Sequence, residues 1–324
     1  MTEQTPEGLA SGLAARLAPR LAPRLALLRA VAAEGGLTRA AESLDIPQPT
    51  VSRWLAGISA ELGAPVLVRD GRGVRLTRAG EQLADAAGRA LSILEAGCRR
   101  AAEEVDPERG QVVFAFLHTM GGVRVPELLR AYRKRHPHVR FTLVQGAHED
   151  MLDRLRHGRA DLALTSPLPD ATEFGHAQLY EQPLVATLPA GHRLADRPGI
   201  RLAALAGERF VGMKRGYGLR QITDALCATA GFEPELTFEG EEVDTVRGLV
   251  AAGLGVAILP AAEPAPTRGT AELALRPAAS RRIGLVWSAR LPLPPAALAF
   301  RDFAVDATAG RSAGQRRSGR ASRQ

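Results

Sequence analysis

The sequence predicts a multidomain α/β chain: a small helical head, one long helix, and a larger half in which strands and helices alternate. Three observations carry this reading. Residues 25–63 hold three short runs of helical periodicity punctuated by glycine and proline. Residues 77–105 hold one unbroken stripe of apolar residues spaced by three and four. From Gln111 onward, short runs rich in Val, Leu and Phe alternate with amphipathic stretches. A chain of 324 residues, 45% hydrophobic and 24% charged, is long enough for two or three such domains.

Residues 1–22 read as a flexible extension, because Pro19 and Pro23 of a Leu-Ala-Pro-Arg repeat argue against one continuous helix before Leu25. The first helix is expected over Leu25–Glu34, stopped by Gly35-Gly36. A second starts behind Thr38, a good N-cap residue, and runs to Leu44. A third starts at Gln48-Pro49, with proline in the first turn, where its missing N–H costs nothing. Its inward stripe is Val51, Leu55, Ile58 and Leu62. Pro65–Val68 and Val74–Leu76 then flank Asp70-Gly71-Arg72-Gly73 as a hairpin. The long helix follows from behind Thr77 to about Val105. Its stripe of Leu83, Ala87, Leu91, Leu94, Cys98, Ala101 and Val105 is narrow and Ala-rich, as in a helix that pairs with another helix. Asp106-Pro107-Glu108-Arg109-Gly110 ends it and reads as a domain boundary.

Beyond that boundary QVVFAFL, FTLVQG, ADLALT, PLVATLP, RFVGM, ELTFEG, GVAILP and RRIGLVW read as strands. PELLRAYRKRH, EDMLDRLRHG, GLRQITDALCATAG and EVDTVRGLVAAG read as helices between them. The alternation predicts α/β layers with mainly parallel sheets. Residues 308–324, made mostly of Gly, Ser, Arg and Gln, read as a disordered basic tail.

The formal charge is +7, with 42 basic residues of which only Lys134 and Lys214 are lysines. A basic balance suits nucleic acid, and an Arg-rich, Lys-poor usage also follows from a GC-rich genome. Two cysteines, Cys98 and Cys227, are too few for a disulfide scaffold and point to a reducing compartment. No run of 18 apolar residues is present, so no membrane span is expected. The N-terminus, broken by Arg16, Arg20 and Arg24, is not a secretory signal. The expected location is cytoplasmic.

The tight junction between the second and third helices is the most informative local feature. Two short helices crossing over a turn of a few residues form a helix-turn-helix, whose second helix can enter the DNA major groove. On a helical wheel the face opposite the apolar stripe of the third helix carries Pro49, Arg53, Ala56 and Ala60, flanked by Thr50, Ser52 and Gly57. Small residues there permit close approach to a groove. Gln48 and Arg53 suit adenine and guanine edges; Thr38, Arg39 and Ser52 suit phosphate oxygens. Arg69, Arg72 and Arg75 make the hairpin a basic wing. The bland reading is a small helical bundle with solvated arginines; the joint pattern favours DNA.

The segment LTRAAESLDIPQPTVSRWLAGISAELGAPVLVRDGRGVRLTRAGEQL resembles the winged helix-turn-helix of LysR-type transcriptional regulators. ADLAL, PLVATLPAGHRLA, LCATAGFEPELTFEG and LVAAGLGVAILP resemble that family's effector domain. The family often has Ser where Pro47 stands. The resemblance implies an all-α winged helix-turn-helix over residues 23–76 and a linker and dimerisation helix over 77–106. It implies a two-lobed α/β domain of the type 2 periplasmic-binding-protein kind over 110–307. Lobe I would take 110–164 and 268–307, and lobe II 165–262. It further implies binding to double-stranded promoter DNA as a homodimer or homotetramer paired through the linker helix, control by a small-molecule effector, and contact with RNA polymerase.

The cleft between the lobes would hold the effector, at loops after strands and at helix starts. Candidate residues are Thr119 and Met120 after the first strand, Gly146, Ala147 and His148 after the second, and Thr165 and Ser166 at the crossing. Lys214, Gly216 and Tyr217 precede one helix, and Glu241 and Val243 open the next. Thr119 and Ser166 equally suit caps. His148 equally suits a surface residue paired with Glu149-Asp150, and Lys214 a solvated lysine. If Lys214 faces the cleft, an anionic effector follows. Cys227 reads as a buried free thiol. The chain carries no Walker motif, no complete dinucleotide fingerprint, no nucleophile elbow and no metal-ligand spacing, so no enzyme, cofactor or metal site is expected. The competing readings are a small-molecule binding protein with no DNA role and a regulator that responds to no effector.

Overall fold

The computed structural model describes residues 24–71, 73–105, 110–262 and 265–307. The N-terminal extension, Arg72 and the C-terminal tail lie outside the described residues. The chain divides into two compact units, Met1–Gly97 and Cys98–Gln324.

The first unit contains α1 (Leu25–Glu34), α2 (Leu37–Ser43), α3 (Gln48–Leu62), β1 (Leu67–Asp70), β2 (Gly73–Leu76) and most of α4 (Arg78–Val105). Gly35 and Gly63 end α1 and α3 at φ of +63° and +73°, a backbone only glycine adopts freely. Between α2 and α3, Asp45 takes the left-handed region at φ 53°, and the Ile46 N–H donates to the Ala41 carbonyl at 3.0 Å. Thr38 is not the cap that the sequence predicts: α2 begins two residues earlier, behind Gly36, and Thr38 stands in its first turn. Leu27, Leu28, Val31, Ala40, Ala41, Val51, Leu55, Ile58 and Val66 form the core. Leu62 is only partly buried, because α3 ends there. β1 and β2 pair antiparallel, with Asp70 opposite Gly73. The Thr77 hydroxyl accepts the Gly80 N–H at 3.1 Å and caps α4. Along α4 the expected stripe divides. Leu83 and Ala87 pack on the helical core, while Leu94 is 62% exposed and Cys98 is exposed.

The second unit is built on one sheet of seven strands. Its elements are β3 (Gln111–Phe116), α5 (His118–Gly121), α6 (Arg124–Arg133), β4 (Arg140–Gln145), α7 (His148–Arg156), β5 (Leu162–Thr165), β6 (Phe174–Pro189), β7 (Gly199–Ile200), β8 (Arg209–Met213), α8 (Gly218–Thr229), β9 (Glu235–Gly240), α9 (Val243–Ala251), β10 (Ala257–Pro260), β11 (Thr270–Ser288) and α10 (residues 295–307). The sheet order is β10-β6-β11-β5-β3-β4, with β7 on the flank of β11. Strands β8 and β9 form a separate parallel pair.

The structure departs from three expectations. The large sheet is mixed: β3 pairs parallel with β4 and β5, whereas β6 pairs antiparallel with β10 and β11. PLVATLP and RRIGLVW are each only half of a strand, since β6 and β11 are 16 and 19 residues long. The change of lobe is not at Thr165, which ends β5. Phe174 and Leu179 belong to the core of Val112, Phe114, Leu155 and Phe300, while Leu184, Leu188, Leu273 and Leu275 belong to that of Phe210, Leu219 and Val246. The chain leaves the first core along β6 and returns along β11. An outward and a returning strand side by side must run antiparallel.

Each core is closed by its own helices. In the first, Tyr132 and Phe300 meet edge to face at 5.0 Å. In the second, the buried Arg247 of α9 pairs with the buried Glu272 of β11 and also donates to the Pro260 carbonyl. No helix among the described residues is long and apolar enough to cross a membrane.

Candidate functional site

In the first unit the tight turn places two faces of α3 in different surroundings. Val51, Leu55 and Ile58 are buried under α1 and α2, while Gln48, Pro49, Ser52, Arg53, Ala56 and Ala60 are exposed and Thr50 is half-buried. Pro47 precedes the helix in an extended backbone, and its carbonyl accepts the Thr50 N–H at 2.8 Å. The first turn of α3 therefore points free side chains and the positive end of the helix outward. Arg53 makes no ion pair among the described residues, whereas the exposed Arg39 donates to the Glu34 carbonyl. Thr38 is exposed beside it. Trp54 packs against the core, as its flanking position on the wheel predicts. On the hairpin, Arg69 and Arg75 are exposed, and Arg75 lies 3.8 Å from Asp70. Arg72, at the hairpin tip, lies outside the described residues. The Ser59 hydroxyl accepts the Val66 N–H at 3.1 Å and ties α3 to the start of the hairpin.

In the second unit a cleft opens where the two cores meet. It is narrow, with a cavity volume of about 20 Å³ open to a water-sized body, and is lined by Leu117, His118, Thr119, Tyr217, Glu241 and Arg281 together with apolar and glycine positions. Of the expected effector residues, Thr119, Gly146, Tyr217, Glu241 and Val243 line it. The others are not among its lining residues. Met120 is buried in the first core, where its sulfur accepts the Tyr180 hydroxyl at 2.8 Å. Ala147 precedes α7 and His148 opens it. His148 is no surface residue: it is 4% exposed, and its Nδ1 lies 2.8 Å from the Thr165 hydroxyl. Burial lowers its pKa to about 4 against the opposing pull of Glu149, so its ring is neutral at pH 7. Thr165 and Ser166 are fully buried, and the Ser166 hydroxyl has no hydrogen-bond partner among the described residues. The Gly216 carbonyl accepts the Glu149 N–H at 3.2 Å.

Lys214 is half-exposed and bound to Glu241 at 2.7 Å. That hydrogen bond raises the lysine pKa and lowers the carboxylate pKa, so the two satisfy each other. The buried cation of the cleft is instead Arg281, which the sequence reading missed. It lies on β11 directly opposite Gln182 of β6 and is 3% exposed. Its Nε and Nη2 donate to Gln182 Oε1 at 2.9 and 2.7 Å, and Nη2 donates to Thr119 Oγ1 at 3.0 Å. Burial lowers its pKa to about 10. The signal in the sequence was its register: in Arg281-Arg282-Ile283, Arg281 shares the inward face with Ile283, and Arg282 points to solvent. Cys227 is buried in α8, and burial pushes its thiol up to about 11, away from the reactive thiolate. Among the described residues no group of acidic, His and Cys side chains has the makings of a metal site.

Residues 23–81 match the family described as bacterial regulatory helix-turn-helix protein, lysR family, and residues 106–309 match the LysR substrate binding domain. The chain is 33% identical over 270 residues to the HTH-type transcriptional regulator YybE of Bacillus subtilis, covering 83% of this chain and 92% of that one. It is 28% identical over 270 residues to the hydrogen peroxide-inducible genes activator of Escherichia coli O6:H1, covering 82% and 88%. Among solved structures it resembles the effector binding domain of QuiR in complex with shikimate, at 28% identity and a TM-score of 0.59, over 62% of this chain and 98% of that one.

Proposed function

We propose, for a chain that belongs to the LysR family of DNA-binding transcriptional regulators, that the exposed face of α3 reads promoter DNA and that the cleft at Arg281 admits the signal. The observation that carries the first half is the division of α3 into a fully buried apolar stripe and an exposed face of small residues around Gln48 and Arg53. Gln48, Pro49, Thr50, Ser52 and Arg53 are the proposed groove-facing set. Thr38, Arg39, Arg69, Arg72 and Arg75 are the proposed phosphate contacts, a division in which charge positions the protein and α3 supplies sequence. The winged head would span residues 23–76, the linker helix 77–106 and the effector domain 110–307. Two copies would pair through α4, two such pairs would form a tetramer, and the assembly would touch RNA polymerase in the cytoplasm. On this reading the chain is a binding protein with no reaction and no cofactor of its own.

The QuiR domain holds shikimate, which supports a small-molecule effector for the cleft described above. A peroxide-sensing reading draws on the similarity to the hydrogen peroxide-inducible activator. It has less support, because a buried thiol with a raised pKa is a poor nucleophile toward peroxide.

The test is a DNase footprint of the full chain on the DNA upstream of its own gene, across a salt series. Protected half-sites a whole number of helical turns apart are expected. Arg53→Ala should weaken the specific site by about 1–3 kcal/mol while leaving competitor binding nearly unchanged. Uniform loss on all DNA would reduce Arg53 to a phosphate contact. Absence of any protected site across the genome would remove the regulator reading.

A further inference from the structure

A guanidinium that is 3% exposed needs a counter-charge, and Arg281 has none from the described residues. Its hydrogen-bond partners are neutral: the amide oxygen of Gln182 and the hydroxyl of Thr119. The carboxylate nearest the cleft, Glu241, is taken by Lys214. Among the described residues the other buried arginine of the second unit, Arg247, is paired with the buried Glu272. A buried cation without an anion costs several kcal/mol of desolvation, which is why such groups are rare unless a ligand supplies the missing charge. Its lowered pKa has the same origin: burial is the leading cause, and no carboxylate opposes it.

Three further groups converge on the same space. Thr119 accepts from Arg281 through its oxygen and keeps its own hydrogen to donate. His118 lines the cleft and its buried Nδ1 has no hydrogen-bond partner. The N-terminus of α8, a helix of 12 residues, enters the cleft at Tyr217, Gly218 and Leu219 with its positive end forward. Around these polar groups the wall is Leu117, Met213, Leu219 and Val243.

We infer that Arg281, held in place by Gln182, is the anchor for a carboxylate group, and that the ligand of the cleft is a small monocarboxylic acid with an apolar body. One carboxylate matches the single uncompensated charge and accepts from Arg281 and from Thr119. The apolar body meets the four aliphatic and thioether side chains. Gln182 is a positioning residue: it fixes the guanidinium plane without touching the ligand. This inference rests on the reading of the cleft as the effector site, and the two can fail separately.

The test is thermal unfolding of the full chain at constant ionic strength in formate, acetate and benzoate, each against its uncharged amide. The carboxylates should raise the melting temperature above the amides, with benzoate strongest. Arg281→Gln should lower the affinity for benzoate at least about 30-fold, the loss expected when one member of a hydrogen-bonded charge pair is removed. In the absence of ligand the same variant should melt at or above the wild-type temperature, because a buried unpaired charge has been removed. Arg281→Lys should keep a weakened preference for benzoate over benzamide. Equal shifts from acids and amides, or no shift from any of them, would overturn the inference. So would a benzoate response that survives Arg281→Gln, or an Arg281→Gln chain that melts well below wild type, which would make the arginine structural. If carboxylates bind through Arg281 and yet leave the footprint unchanged, the anion subsite stands and the effector reading falls.

Discussion

At the scale of single residues, His148 ties the chain's stability to pH. Its ring is buried against Thr165, and burial lowers its pKa from an ordinary value near 6.5 to about 4. Below about pH 6.5 the unfolded chain takes up a proton that the folded chain refuses, so stability falls with pH until about pH 4, where the folded ring also protonates. A shift of this size corresponds to at most about 3 kcal/mol. Urea unfolding of His148→Asn between pH 7 and pH 4 should therefore show a flatter pH profile than the parent. Profiles of identical slope would show that His148 does not carry the effect. The same residue marks a boundary of sequence reading. A histidine followed by Glu149-Asp150 looks like a surface residue, and its burial follows from Thr165, 17 positions away. Arg281 escaped for the same reason: its partner Gln182 is 99 positions distant. Local composition cannot show a charge being buried by a neighbouring strand that is distant in sequence.

At the scale of elements, what was legible was what is locally determined. α1 runs Leu25–Glu34 as expected because Gly35 stops it, and α3 starts at Gln48 because Pro47 and Pro49 permit nothing earlier. α2 starts two residues early because Gly36, not the better capping side chain of Thr38, precedes it. The halves of β6 and β11 that the sequence reading left out, FGHAQLY and AELALRPAAS, mix polar and apolar residues. They are strands because each pairs with the recognisable half of the opposite strand: Phe174–Tyr180 with Ile283–Ser288, and the segment from Ala271 to Ser280 with that from Pro183 to Leu188. The start of α8 depends on a close approach. A Cβ on Gly218 would overlap the Ser166 carbonyl and stand 2.7 Å from the Pro167 ring. Gly218→Ala should push α8 off the crossing segment and cost about 1–3 kcal/mol, read as a lower urea midpoint at unchanged m-value. An unmoved midpoint would mean that the segment yields without strain.

At the scale of the whole molecule, α4 runs through the division between the two units at Gly97 and carries exposed apolar side chains on the way. Ile93 is 46% and Leu94 62% exposed in the single chain. The sequence placed Leu94 on a helix-pairing stripe, and a second copy is the proposed cover. Leu94→Asp should weaken self-association at least about 10-fold, as removal of an interface anchor does. Sedimentation equilibrium would read this, and an unchanged assembly would take Leu94 out of the pairing surface. Within the second unit, β6 and β11 run paired from the first core, at Tyr180 and Ile283, to the second, at Leu184 and Ala279. Between the register breaks at Ala274/Ala279 and Ile283/Gly284 the ladder is unbroken, so the jaws of the cleft resist wide opening there and yield first at the two irregularities. A stiff cleft sorts molecules by fit, whereas a loose one wraps whatever enters. On the proposed reading of the cleft, one surplus methylene on a bound molecule would then be felt as a misfit, and the range of effectors would be narrow.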